Sequence, residues 1–326
     1  MYGLPYQGSK NLIARELIQQ MPRREYFVDL FAGGGAMFHA AVESSKYQRF
    51  LVNEYNALQC DFLRDCAMGM YDDCNEWVSR KQFMRDIQKS KFFQAVWSFG
   101  NKDDYFCAYV LEDWCRALFQ AIEHNDFSEF QKIGFAGCNV TIDDIRLRTD
   151  WYRRKYQDYK FTGLDGTIHE NEYYMITDRY TGWCSSSPHK RLERIRNFHK
   201  QMDNLCTMDK TQFSARSYED VQIPDNALVY CDPPYINTST DGYGEYTFDH
   251  ARFYDWCRAQ KELVLISEYQ MTEDFIPIWR KKKSVGLCSG GAKKAVESLF
   301  VHKSQMPLLY QKNYGYQKKL FNYDFA

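Results

Sequence analysis

Apolar residues along the chain follow two recurring patterns. Short, nearly continuous apolar runs occupy residues 26–31, 50–53, 227–231, 263–267 and 298–302. Runs of this length, bounded by polar or turn residues, predict buried strands. Residues 11–21, 37–43 and 250–260 instead show helical spacing. Their alternation with the strand runs predicts an α/β sheet with parallel strands. The stretch between the two groups has a different character. It predicts helices over 76–91, 106–123 and 190–204, the last with Leu192, Ile195, Phe198 and Met202 on one face. The expected organisation is therefore an α/β domain in two pieces, 1–74 and 211–326, interrupted by a mostly helical insertion at 75–210.

Composition narrows the class. The 326 residues include 42 Lys+Arg and 43 Asp+Glu, a net charge of −1, and 17% are aromatic. A disordered chain would carry fewer aromatics and more net charge, and the cancelling charges exclude a protein that coats DNA by bulk charge. The first residues hold no apolar segment of the secretory type, and no apolar run approaches the ~20 residues of a membrane helix. None of the eleven cysteines pair at Cys-x-x-Cys spacing. The expectation is a cytoplasmic protein with reduced thiols, no zinc and no membrane partner.

Two segments carry candidate chemistry. In the first, Asp29, Leu30, Phe31 and Ala32 precede Gly33, Gly34 and Gly35, and a helical run follows. Consecutive glycines let a backbone turn tightly and lie against a ligand, and the helix start offers N–H groups. A plain tight turn fits these glycines equally well. Glu54, ending the next strand run, tips the balance, because a carboxylate there can accept both ribose hydroxyls of a nucleoside. The departure from Gly-x-Gly-x-x-Gly disfavours a dinucleotide, and the segment resembles the S-adenosylmethionine loop of methyltransferases.

The second segment is Asp232-Pro233-Pro234-Tyr235, directly after an apolar strand run. Two prolines stop the strand and fix two φ angles, which makes a rigid ledge at the sheet edge where α/β ligands bind. An adenine amino group is a poor nucleophile because its lone pair is shared with the ring. Asp232 can accept one of its N–H groups and the Pro233 carbonyl the other, freeing the lone pair. The carboxylate also stabilises positive charge developing on nitrogen. Tyr235 offers a flat face for a base taken out of the duplex, a contact worth roughly 1–3 kcal/mol.

With both motifs present, the chain resembles the Dam-type family of DNA adenine-N6 methyltransferases, phage members included. The order is that of the alpha group, and the likeness covers nearly the whole chain. It implies a Rossmann-like S-adenosylmethionine-dependent methyltransferase fold with a mostly helical inserted target-recognition domain. It also implies double-stranded DNA as substrate, a flipped adenine, and a monomer or a transient dimer on the DNA. Residues 6–10 resemble the family's aromatic-x-Gly-x-Lys element, so Tyr6 is expected to pack on the cofactor and Lys10 to pair with its carboxylate. Asp29, Phe31, Gly33, Gly35, Glu54 and Asp232 are the further cofactor residues it implies. Ser267 and Glu268 would edge the pocket. The family often has an acid before its Tyr in the segment preceding the Asp-Pro-Pro-Tyr motif. This chain has Arg216 and Ser217 there, so the cofactor's adenine falls to Ser217, to the backbone, or to a different register.

Charge is unevenly placed. Residues 145–160 carry six basic and two acidic residues, residues 179–200 six and one, and Arg280 to Lys283 form a separate run. A charge run by itself usually marks a solvated face. Beside a catalytic motif for DNA, such clusters interleaved with Trp and Tyr suit phosphate contact. Arg146, Arg148, Arg153, Arg154, Lys190, Arg191 and Arg194 are the expected DNA-facing residues. Phe92, Phe93, Trp97 and Phe99 are expected in the core, as are His169, His189, His199 and His250 in core or surface roles without metal. Two other readings stay open. One is an RNA or cytosine-N4 methyltransferase, although the latter more often has Ser in place of Asp232. The other is a non-catalytic DNA-binding protein, which would have broken motifs.

Overall fold

Seven strands form one sheet in the order β5-β2-β1-β6-β7-β9-β8 in the computed structural model. The structure describes residues 2–6, 8–98, 106–107, 112–129, 160–162, 168–170, 188–204, 208–235, 248–285 and 293–310. In chain order the strands are β1 (Tyr26–Asp29), β2 (Arg49–Asn53), β3 (Lys160–Thr162), β4 (Ile168–Glu170), β5 (Thr211–Ser214), β6 (Ala227–Cys231), β7 (Leu263–Glu268), β8 (Phe275–Val285) and β9 (Lys293–His302). The helices that matter below are α1 (Ala14–Gln20), α2 (Ala36–Glu43), α3 (Ala57–Ala67), α4 (Arg80–Asp86), α5 (Lys91–Trp97), α6 (Glu112–His124), α7 (Pro188–Asn204) and α8 (His250–Ala259). Strands β5, β2, β1, β6 and β7 run parallel, while β9 is antiparallel to both β7 and β8. The protein is thus mixed α/β, and β3 and β4 form a separate antiparallel pair.

The chain divides into two compact units. One comprises residues 1–4, 8–68 and 200–326, the other residues 5–7 and 69–199. The seven-stranded sheet belongs to the first. β6 is apolar throughout and β7 from Leu263 to Ile266, and every residue of both strands is buried. That is the signature of strands covered on both faces. Alternation along the pleat sends Val28, Val229, Cys231, Val264 and Ile266 into one cluster with Phe253, Cys257 and Phe300. On the other face the rings of Phe27 and Tyr230 stack at 6.5 Å. The order of strands reverses at β1: the chain moves to β2 on one side and later to β6 on the other. In α/β sheets, ligands bind at the carboxyl ends of the strands that flank such a reversal.

The second unit has an aromatic core. Trp77 meets Trp97 edge-on at 5.1 Å and Phe119 at 5.6 Å, and Phe83 lies 5.4 Å from Phe106. Phe92 and Trp97 are buried and Phe93 half-buried, while Phe99 lies outside the described residues. Leu192, Ile195, Phe198 and Met202 on α7 are all buried, matching the apolar face read from spacing.

Local chemistry corrects several element boundaries. The helix expected over 76–91 is only α4, Arg80–Asp86, and a second helix, α5, begins at Lys91. Ser90 stands between them with an extended backbone and caps the second by accepting from Phe92 N, while Ser79 caps the first by accepting from Gln82 N. Periodicity alone does not register a capping serine inside a helical pattern. The helix expected from 106 begins at Glu112, and Phe106 instead bridges Ser98. Helix α3 and strands β3, β4, β5 and β8 are additions. Asn56 caps α3 by accepting from Gln59 N at 3.1 Å. Strand β8 hides in the sequence because its polar run, Arg280 to Lys283, carries no strand-like apolar pattern.

Candidate active site

The glycine-rich loop sits at the carboxyl end of β1. Gly33 and Gly35 have φ of 51° and 68°, the left-handed region that glycine enters at no steric cost. A Cβ on Gly35 would stand 2.7 Å from Leu63 Cδ1. The loop is tied down from β2. Glu54 Oε2 accepts from Gly33 N at 2.8 Å, Glu54 Oε1 accepts from Asn56 N at 3.0 Å, and Gln59 Nε2 donates to Gly33 O at 2.9 Å. Phe31 turns its ring into an aromatic group with Tyr218, Phe248 and Phe253, 5.6–5.9 Å between centroids.

Asn53 is a site residue that the sequence reading passed over. It is buried at the end of β2. Its Nδ2 donates to Leu30 O and Arg216 O, and its Oδ1 accepts from Ser214 Oγ and Arg216 N. One amide thus ties together the ends of β1 and β5 and sets the path into Ser217, which is half-buried. The available signal was a polar residue ending an apolar strand run.

Asp232 follows β6 immediately. Its Oδ2 lies 2.7 Å from Lys10 Nζ, and the same ammonium is 3.7 Å from Glu297 Oε1. Asp232 Oδ1 is buried and has no hydrogen-bond partner among the described residues. Tyr235 donates its hydroxyl to Glu297, meets Tyr269 edge-on at 4.6 Å, and has Lys10 Nζ 4.8 Å from its ring centre. His250 Nε2 bonds Pro234 O at 2.8 Å, which holds the proline ledge to the start of α8. Ser267 Oγ bonds the Tyr230 hydroxyl at 2.7 Å, and Glu268 Oε1 accepts from Tyr269 N at 2.7 Å. Glu297 reaches this edge because β9 pairs Ser298 with Glu268 and so delivers its next residue past the end of β7. No sequence spacing relates Glu297 to Asp232; the antiparallel hairpin does.

Charge at this edge is unbalanced. Burial by itself pulls the Lys10 ammonium down, but the Asp232 and Glu297 carboxylates outweigh it and leave its pKa raised. Asp29, 1% exposed, accepts from Phe38 N through Oδ2, whereas Oδ1 has no partner among the described residues. Burial raises its pKa from 3.8 to about 8, the Phe38 N–H opposing this and the Asp232 and Glu54 charges adding to it. Between those two values the folded chain keeps a proton at Asp29 that the unfolded chain has released. Stability therefore falls as pH rises through that window and levels off above about 8. Asp29→Asn should remove this dependence. The variant should gain on the parent by several kcal/mol between about pH 4 and pH 8, each tenfold in proton affinity being worth about 1.4 kcal/mol. Urea unfolding across that range checks it, and parallel curves for the two proteins would place the titration elsewhere.

The other expected residues are distributed as follows. Tyr6 is half-buried and groups with the second unit. The resemblance assigned Lys10 to a cofactor carboxylate; here its buried ammonium is paired with Asp232 and Glu297. Arg146, Arg148, Arg153 and Arg154 lie outside the described residues. Lys190 is exposed on α7 and Arg194 half-buried. Arg191 differs from its expected place on a DNA-facing surface. Its Nη1 donates to Val96 O at 2.8 Å and also to Ser98 O. A cation on the last carbonyls of a helix is a C-terminal cap, so this charge is engaged inside the protein. His199 Nδ1 bonds Asp72 at 2.6 Å. Among the described residues, no group of three or more His, Cys, Asp or Glu is placed to hold a metal, and no helix is long and apolar enough to cross a membrane.

A search of curated proteins returned no match. The model of the family described as D12 class N6 adenine-specific DNA methyltransferase matches residues 6–262, a span containing the glycine loop, Glu54, the Asp-Pro-Pro-Tyr ledge and most of the second unit. The chain belongs to the D12 class of N6 adenine-specific DNA methyltransferases, enzymes that methylate adenine N6 in DNA.

Proposed function

We propose that this protein transfers the methyl group of S-adenosylmethionine to N6 of an adenine turned out of double-stranded DNA, with Asp232 as the residue that activates the amine. The observation that carries this reading is the state of the Asp232 carboxylate. One oxygen is held by Lys10, and the other is buried with no partner among the described residues. The sheet, its strand reversal at β1 and the glycine loop support a Rossmann-like methyltransferase fold, and residues 75–210 are assigned to target recognition.

The residues present fit the cofactor. Asp29 Oδ1 is a buried carboxyl oxygen without a partner among the described residues, and a cationic group beside it would favour its ionised form. Gly33 and Gly35 bring bare backbone to the edge, and the Glu54 carboxylate can accept hydroxyl donors alongside the two N–H groups it already takes. Phe31, Ser217 and Tyr6 complete the cofactor set inferred from the resemblance. S-adenosylmethionine supplies a methyl group activated on sulfonium.

The chain's own groups do the rest. Asp232 Oδ1 accepts one N–H of the adenine amine and the Pro233 carbonyl accepts the other, which directs the nitrogen lone pair out of the ring plane. As the N–C bond forms and the methyl–sulfur bond breaks, its electron pair staying on sulfur as a neutral thioether, nitrogen would become cationic, and the Asp232 carboxylate would stabilise that charge and take the proton. Pro233 and Pro234 keep the ledge rigid, His250 holds it from behind, and Tyr235 stacks on the base. Lys190, Arg194, Arg146, Arg148, Arg153 and Arg154 are assigned to DNA phosphates; Arg191 is not. The test is transfer of labelled methyl from S-adenosylmethionine to unmethylated duplex DNA, with the product base identified after digestion. Label in N6-methyladenine is the expected result. Label in N4-methylcytosine, or none, would overturn the proposal.

A further inference from the structure

Strands β8 and β9 outrun the sheet that holds them. The last rung shared with β7 joins Glu268 to Ser298. Beyond it the pair continues for five rungs: Lys281 with Glu297, Lys282 with Val296, Lys283 with Ala295, Ser284 with Lys294, and Val285 with Lys293. At about 3.3 Å per residue, the hairpin extends roughly 17 Å past the final rung of the seven-stranded sheet. It leaves from the carboxyl edge, where Asp232 lies.

Every one of these five rungs contains a lysine, and their only acid is Glu297, which is turned into the active site. Lysine on an exposed edge strand has an ordinary use, which is to discourage pairing with another chain. Two further facts point past that use. The hairpin is rooted at the carboxylate that holds Tyr235, so its base is part of the active site. And that edge sets the Asp232 and Glu297 carboxylates against the Lys10 ammonium, with Glu54 and Glu268 also buried at the ends of β2 and β7. Such a concentration of carboxylates repels a polyanion unless cations stand beside it. Lys281 is partly committed, being paired with Glu16 on α1, and Lys282 is exposed; by register, Lys283, Lys293 and Lys294 add three more lysines to the same five rungs.

We infer that this hairpin is an arm of the catalytic unit that grips the phosphate backbone of the DNA beside the target adenine, independently of the inserted unit. The inference rests on the methyl-transfer reading of the same edge. The decisive variant carries Lys282→Gln, Lys283→Gln, Lys293→Gln and Lys294→Gln. Affinity for a fluorescently labelled unmethylated duplex is measured over a range of salt, and KM for DNA by labelled-methyl transfer. Each phosphate contact contributes about 0.9 to the slope of log affinity against log salt. The variant should therefore lose about 2–4 from that slope, and its KM for DNA should rise at least about tenfold, with cofactor affinity retained. Should the fourfold variant fail to fold, the pair Lys293→Gln and Lys294→Gln should lose about half as much. An unchanged slope and KM in a variant whose parent methylates DNA would overturn the arm, and self-association alone would leave only edge protection. Absence of methyl transfer by the parent would instead count against the methyl-transfer reading itself.

Discussion

Asp232→Ala is expected to lower the rate of methyl transfer by at least about 10²–10³-fold, the scale on which one preorganised charge-stabilising group acts. Cofactor affinity should be largely retained. The fold should survive, because Lys10 keeps Glu297 within 3.7 Å when its closer partner is removed. What disappears is the buried oxygen that takes the amine N–H and faces the charge growing on nitrogen. Single-turnover transfer of labelled methyl, together with equilibrium binding of S-adenosylmethionine, separates the two effects. Full activity in the alanine variant would sink the assignment of Asp232. A loss of cofactor binding equal to the loss of rate would move Asp232 from the amine to the cofactor.

Lys10→Met is expected to damage both stability and rate. The ammonium is 6% exposed and stands between Asp232 and Glu297. Removing one member of a buried ion pair leaves charge uncompensated and costs about 3–5 kcal/mol. The pKa of Lys10 is raised, so its contribution is complete below the ordinary lysine value of 10.5 and is lost only as pH rises through the higher folded value. The stability gap between parent and variant should therefore persist at neutral pH and narrow in strong alkali. Rate should fall about 10²-fold, because Asp232 is no longer held by its second oxygen and a small misplacement near the reacting atoms has that effect. Urea unfolding at several pH values and single-turnover kinetics measure the two parts. A variant as stable as the parent would mean that Lys10 is not the counter-ion of this cluster.

Much of this protein was readable from its residues because the signals are local. Strand β6 and its ledge follow from an apolar run stopped by Pro233 and Pro234, since each proline fixes its own φ and ends pairing wherever the chain goes. The glycine loop follows from three consecutive residues without a Cβ, and the buried face of α7 from spacing alone. The features that the sequence left hidden involve partners far apart in the chain. Arg191 looked like a surface cation, yet its guanidinium caps α5 nearly a hundred residues earlier. Asn53 binds segments that lie 23 and 163 positions away.

The sequence by itself determined the sheet's parallel strands, the ledge, the glycine turn and the class of reaction, because each depends on a few adjacent residues whose conformational limits travel with them. Only the tertiary structure decided the electrostatics of the edge. That Lys10 neutralises Asp232 depends on the N-terminal segment meeting the end of β6; that Glu297 anchors Tyr235 and that a lysine-rich hairpin leaves from the same place depend on β9 running antiparallel beside β7. Burial then converts that proximity into function, since a carboxylate out of water responds to its neighbours far more strongly than one on the surface.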